Sequence, residues 1–154
     1  MKWITRANAK VDRVACPWLI RRFIDPDAEF LFVPAEQVLA TAEAEQALSY
    51  DAPGARYTHR DGKCTFEVLM DEYELTDPAL KRLARIVHGA DVTNDLWDAA
   101  EAPGLKALAH GFAMTTADDH VKIAQESAMY DALYAWCQAK ASHAAAAAAA
   151  TPNW

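Results

Sequence analysis

The chain has 154 residues, 53% of them hydrophobic and 24% charged, enough apolar material for one buried core. Its formal net charge of -7 repels phosphate backbones and argues against direct, sequence-independent nucleic-acid binding. No apolar run reaches the roughly 20 residues needed to span a bilayer.

Trp3-Ile4-Thr5 reads as a short strand, and Val11 to Ile24 as a helix with apolar residues at the 3.6 period. Pro17 lies inside that pattern, so the helix either starts or kinks there. Asp25-Pro26-Asp27 ends it. Glu29 to Val33 reads as a strand, Ala35 to Leu48 as a helix, and Asp51-Ala52-Pro53-Gly54 as a turn. Arg56 to Phe66 reads as a β-hairpin folded about Asp61-Gly62. Helices then follow over Pro78 to His88, closing at Gly89, and over Pro103 to Met114. A last helix spans Ala117 to Ala141, with Thr116 and Asp119 as its capping box. The expected class is α+β, predominantly helical, with about five helices, short strands and a small hairpin. Residues 1–141 are expected to form one domain. Residues 142–154 are expected to form an alanine-rich tail that continues the helix or frays before Pro152.

The start of the chain lacks the apolar stretch of a secretory signal, and Cys16, Cys64 and Cys137 are odd in number and widely spaced. A cytoplasmic protein with reduced thiols is the expectation.

On a helical wheel Arg22 falls inside the apolar arc of the first helix. Asp12 and Cys16 lie on its edge, and Arg21 flanks it. A guanidinium on a core face must be paired or must line a cavity. Asp12 and Arg22 therefore form a structural pair, or Arg21 and Arg22, with Asp12, floor a site for a small anion. If the helix begins at Pro17, Cys16 sits at its N-terminus, where a thiol is acidified; otherwise it is a buried, inert cysteine.

A two-residue turn at Asp61-Gly62 sets His59 opposite Cys64, close enough to share one metal ion or to form a thiolate–imidazolium pair. Further ligands would come from Cys16, Asp118 or His120. A half-buried histidine beside a small apolar cysteine is the plainer alternative. Asp118 and Asp119 suit the positive end of the last helix, which by itself explains them; yet Asp118 falls on the wheel face of Val121, Ala124, Ala128, Ala132 and Trp136, where an inward acid could meet Arg22 or a metal. His120 lies off that face. His88 is expected to be structural at a helix end, and His110 stays ambiguous.

The string Val11-Asp12-Arg13-Val14-Ala15-Cys16-Pro17-Trp18-Leu19-Ile20-Arg21-Arg22-Phe23-Ile24-Asp25 resembles the opening of the ChrB-type chromate-resistance domain. Ala28 to Pro34, the His59…Cys64-Thr65-Phe66 segment, Leu75 to Leu80, Gly89-Ala90-Asp91, Asp118-Asp119-His120 and Tyr130 to Cys137 continue the likeness. In that family the domain often forms the C-terminal half of a longer regulator linked to chromate resistance. The resemblance implies a role in sensing or handling chromate, or the oxidative stress it causes.

Three functions are compatible with these residues. One is a sensor that holds an oxyanion on Arg21 and Arg22, with Cys16 or Cys64 as reductant or ligand. Another is a redox enzyme, superoxide-removing or chromate-reducing, with iron, zinc or manganese on His59, Cys64 and Asp118. The last is a regulatory domain with no site of its own, bound to a regulator partner or a second copy. The first two take a small anion or a metal ion as ligand, and none involves a membrane.

Overall fold

The computed structural model describes residues 1–150. The chain opens with β1 (Lys2–Arg6) and α1 (Asp12–Leu19), which continues as a wide π turn over Ile20–Ile24. β2 (Glu29–Val33) follows, then a 3-10 turn (Ala35–Gln37), α2 (Val38–Glu45) and β3 (Leu48–Ser49). The rest is α3 (Thr65–Glu72), α4 (Pro78–Asp91), α5 (Ala102–Thr115) and α6 (Asp119–Ala150). The class is the α+β, predominantly helical one expected, with six α-helices among the described residues and a parallel sheet in place of the hairpin.

The three strands lie in the order β2-β1-β3. Trp3 faces Phe30 on one side and Leu48 on the other. Parallel neighbours need crossovers, and α1 and α2 supply them. β1 is covered on both faces, so Trp3, Ile4 and Thr5 are all buried. Ile4 packs with Val38, Ala52 and Ala55 on the α2 side. Trp3 joins the main core with Val14, Trp18, Phe66, Leu83 and Tyr130.

Pro17 kinks nothing out of place. It has no N–H for the Arg13 carbonyl, and the Tyr50 hydroxyl approaches that carbonyl at 3.5 Å instead. The helix then widens until the Asp25 N–H reaches Ile20 O at 2.7 Å.

Arg56 to Phe66 is not a hairpin. Arg60 and Lys63 form a single bridge around Asp61-Gly62, and the chain enters α3 at Thr65. Glu67 Oε2 accepts the Cys64 N–H at 2.8 Å, and this cap starts a helix where β-pairing was expected. Gly89 does not close α4, which runs to Asp91. A Cβ on Gly89 would lie 2.8 Å from the Ala102 Cβ, so the glycine permits close contact with the start of α5.

α6 departs most from expectation. Its cap is Asp118, whose Oδ1 accepts the Val121 N–H at 3.0 Å, while Thr116 bonds Gln125. The wheel face of Val121, Ala124, Ala128, Ala132 and Trp136 is exposed. The buried stripe is Asp119, Lys122, Ile123, Glu126, Tyr130, Tyr134 and Cys137. At its N-terminal end the bonded polar groups of Asp119 and Lys122 hold this face inward. Asp119 accepts the N–H groups of Asn8 (2.9 Å) and Ala9 (2.8 Å), and Lys122 donates to Ala9 O at 2.9 Å. The helix passes through 142–150 without a break, exposed where described; an end at Pro152 lies outside the described residues. Among the described residues, no helix is long and apolar enough to cross a membrane.

Two predictions follow from the packing. Gly89→Ala overfills the α4–α5 contact and is expected to cost about 1–3 kcal/mol in denaturant unfolding. Glu126 has no exposed surface, and neither of its carboxylate oxygens has a hydrogen-bond partner among the described residues. Burial lifts its carboxyl from 4.5 to about 7, against the pull of Lys122. The folded state therefore holds a proton that the unfolded chain releases, and stability falls as pH rises from 4.5 through about 7. Glu126→Gln should remove that slope and gain on the order of 1–3 kcal/mol at pH 8, read by thermal unfolding across pH.

Candidate functional site

The site forms at the carboxyl ends of β1 and β3, where strand order reverses in the sheet. In open parallel sheets that crevice is where ligands bind. The loop after β1 is fixed by the Asp119 and Lys122 bonds to Asn8 and Ala9. It ends at Val11, whose φ of 37° is rare for a β-branched residue and costs of order 1–3 kcal/mol. This turn aims the next side chain, Asp12, into the protein.

Asp12 has no exposed surface. Its carboxylate accepts the first backbone N–H groups of α3, from Thr65 at 2.7 Å and Phe66 at 3.1 Å. One turn along α1, the Cys16 thiol donates to it at 3.4 Å. Asp51 follows β3 with a left-handed φ of 45°. It accepts the Thr65 hydroxyl at 2.9 Å and lies 3.5 Å from Arg13 Nε. Asp91 is the last residue of α4. His59 Nε2 sits among the three acids, 3.3 Å from Asp12, 3.4 Å from Asp51 and 3.0 Å from Asp91.

The electrostatics reflect this crowding. Hydrogen bonds to Asp12 and Asp51 raise the His59 imidazolium to about 10. Burial pushes the Asp12 carboxyl up, with His59 pulling the other way. Burial also opposes ionisation of Asp51, yet His59, Thr65 and Arg13 together hold it below the usual carboxylate range. Burial, with Asp12 and Asp51 nearby, lifts Asp91 to about 7. Three acids thus share one imidazolium and one guanidinium.

Above them opens a cleft of about 290 Å³. Its floor is Asp51, His59 and Asp91, and its walls include Arg6, Lys10, Arg13, Lys106 and His110. One ligand atom each from Asp12, His59 and Asp91 lies within 4.8 Å of the others, close enough for a single cation. A small anion above that cation would meet the basic wall.

The structure brings Asp12, Cys16 and His59 together, whereas the sequence set Asp12 beside Arg21 and Arg22 and Cys16 as a further ligand for His59 and Cys64. Asp12 does not pair with Arg22. Arg22 is half exposed and binds Asp131 at 2.9 Å, since the π turn carries it outward past Trp18. Arg21 lies over the Phe30 ring and reaches Ala28 O at 3.4 Å, so the two arginines lie along an outer groove beside α6 and floor no inner cavity. Cys16 is within the helix and not at its start, and burial raises its thiol well above the usual value. His59 and Cys64 share no site, because α3 begins at Thr65 and turns Cys64 toward Glu67 and His88. Asp118 is an exposed helix cap, and His120 is exposed against the edge of Phe32.

Sequence reasoning missed Asp51, Asp91 and Arg13 as members of the site. Asp51 was readable only as a turn residue. Asp91 lay beyond a helix end placed too early at Gly89.

A family model described as "ChrB, C-terminal domain" matches residues 3–137. A curated relative, Protein ChrB of Cupriavidus metallidurans, is 39% identical over 134 residues, 86% of this chain. The chain covers 40% of that relative's length. No solved structure gives a significant match.

In metal-free protein the His59 ring should stay protonated through pH 8, followed by its imidazole NMR shifts. Because its folded value is raised, its stabilising contribution is complete below 6.5 and is lost as pH rises through about 10. A midpoint near 6.5 would refute the three-acid cage.

Proposed function

The chain belongs to the ChrB C-terminal domain family, and on that footing we propose that it is a chromate-resistance domain that senses a small oxyanion through a bound transition metal. Asp12, His59 and Asp91 hold the ion, with Asp51 beside it. The supporting observation is their convergence from α1, the loop before α3 and the end of α4, with His59 and Asp91 lining a basic-walled cleft and Asp12 buried within hydrogen-bonding reach of His59. Carboxylates with one imidazole suit manganese or iron, and zinc less specifically. The imidazolium now between the acids occupies the position a cation would take, so ion uptake would release its proton.

Arg6, Lys10 and Lys106 line the way in and would draw chromate toward the metal. This moves the anion from Arg21 and Arg22, already engaged by Ala28 and Asp131, to the cleft over His59. A regulator segment or a second copy would then respond to the filled cleft.

A second reading, a metal-dependent redox enzyme, draws on the incomplete ligand set. His59 is 45% exposed toward the cleft, which leaves coordination positions for superoxide or chromate. Such an enzyme would turn over with iron or manganese and be inert with zinc.

The test is Mn2+ binding to untagged, chelator-free protein, read by the loss of the free-ion paramagnetic resonance signal. One equivalent is expected for wild type, with His59→Ala or Asp91→Asn weakening binding by about 10-fold or more. Chromate should raise the melting temperature of the Mn2+ form and leave the metal-free form unchanged, and Lys10→Ala should weaken that effect by roughly two- to tenfold. Equal Mn2+ binding by wild type and His59→Ala would overturn the reading.

A further inference from the structure

A second group of ligating side chains lies on the other side of the Cys64–Thr65 junction. Cys64 Sγ, a Glu67 carboxylate oxygen and a His88 ring nitrogen all lie within 4.8 Å of one another. Cys64 is fully buried, and Glu67 and His88 are 22% and 17% exposed. Their placement follows from two helices. Cys64 and Glu67 stand three residues apart at the start of α3, and His88 comes from the last turn of α4. Glu67 Oε2 is 2.7 Å from His88 Nδ1, while His88 Nε2 is 2.7 Å from Asp95 Oδ2.

We propose that Cys64, Glu67 and His88 form a second metal site, distinct from the Asp12–His59–Asp91 group, that takes a zinc-like divalent cation. A thiol, an imidazole and a carboxylate together select a borderline ion of the zinc or cobalt type over an oxygen-preferring one. Three protein ligands leave a fourth tetrahedral position for water. Asp95 is the positioning residue. By engaging Nε2 it fixes the tautomer that presents Nδ1 to the ion, the carboxylate–histidine–metal arrangement common at such sites. Ion binding displaces to solvent both the thiol proton and the proton held between His88 Nδ1 and Glu67 Oε2, and converts that contact into two metal bonds.

The two sites are joined mechanically. The Thr65 and Phe66 N–H groups that hold Asp12 belong to the helix that Cys64 begins, and His88 stands one turn before Asp91 on α4. Each can nonetheless be lost alone, because they share no ligand.

The experiment is Co2+ titration of the full chain, read by the sulfur-to-cobalt charge-transfer absorption that only a thiolate ligand gives. Wild type should show the band at one equivalent. Cys64→Ser should abolish it, Cys16→Ser and Cys137→Ser should retain it, and Asp95→Asn should weaken Co2+ binding by about 10–100-fold. His59→Ala should leave the band intact, so failure of the first site is read separately. Should Cys64→Ser not fold, His88→Gln serves in its place, with loss of the band expected. Absence of the band in wild type, or its survival in Cys64→Ser or His88→Gln, would overturn the proposal.

Discussion

A carboxylate fully removed from water must be compensated by hydrogen bonds and opposite charge, and Asp12 sets that requirement for this fold. Its two oxygens take the first N–H groups of α3, the Cys16 thiol and His59. Satisfying one side chain therefore fixes where α3 begins, how it lies against α1, and where the loop carrying His59 returns. Loss of the carboxylate would orphan donors on three separate segments at once, a larger cost than any one of those bonds.

The parallel sheet explains why the acids gather. β1 is the central strand, and the connections leaving β1 and β3 emerge at the same edge of the sheet. Asp12 and Asp51 come from those two connections. The helical half closes over this edge. α6 clamps the loop after β1 through Asp119 and Lys122, and α4 delivers Asp91 from its last turn. Tyr134 bonding Asp77, together with the Trp18, Phe23 and Tyr134 rings, ties α6 to α4 and α1. The Val11 backbone is held against its preference by this surrounding structure.

Much of the secondary structure was legible in the chain. β1 and β2 were readable as strands, Asp77-Pro78 marked the start of α4, and the period of α1 was clear across Pro17. What misled was local pattern where tertiary bonds decide. Asp61-Gly62 does make a tight turn, but Glu67 capping Cys64 makes the next residues helical. In α6 the more apolar wheel face is rich in alanine, which gains little from burial. The face carrying Asp119, Lys122 and Tyr134 gains specific bonds and goes inside. For the site, Asp12, Cys16 and His59 were recognisable as unusual. Their partners Asp51 and Asp91 were not, because no spacing in the sequence relates residues drawn together by the sheet edge and the end of α4.

The acids and imidazole of the cleft come from positions 12, 51, 59 and 91, so no short contiguous fragment of the chain contains them all. Closing those long loops is entropically expensive and is recovered only when the sheet and its covering helices are complete. A ligand seated there would consequently favour the whole assembled chain over every partly opened form. Its occupancy would slow amide exchange in β1, α3 and α4 together, turning a local binding event into a change in the cooperativity of the entire domain.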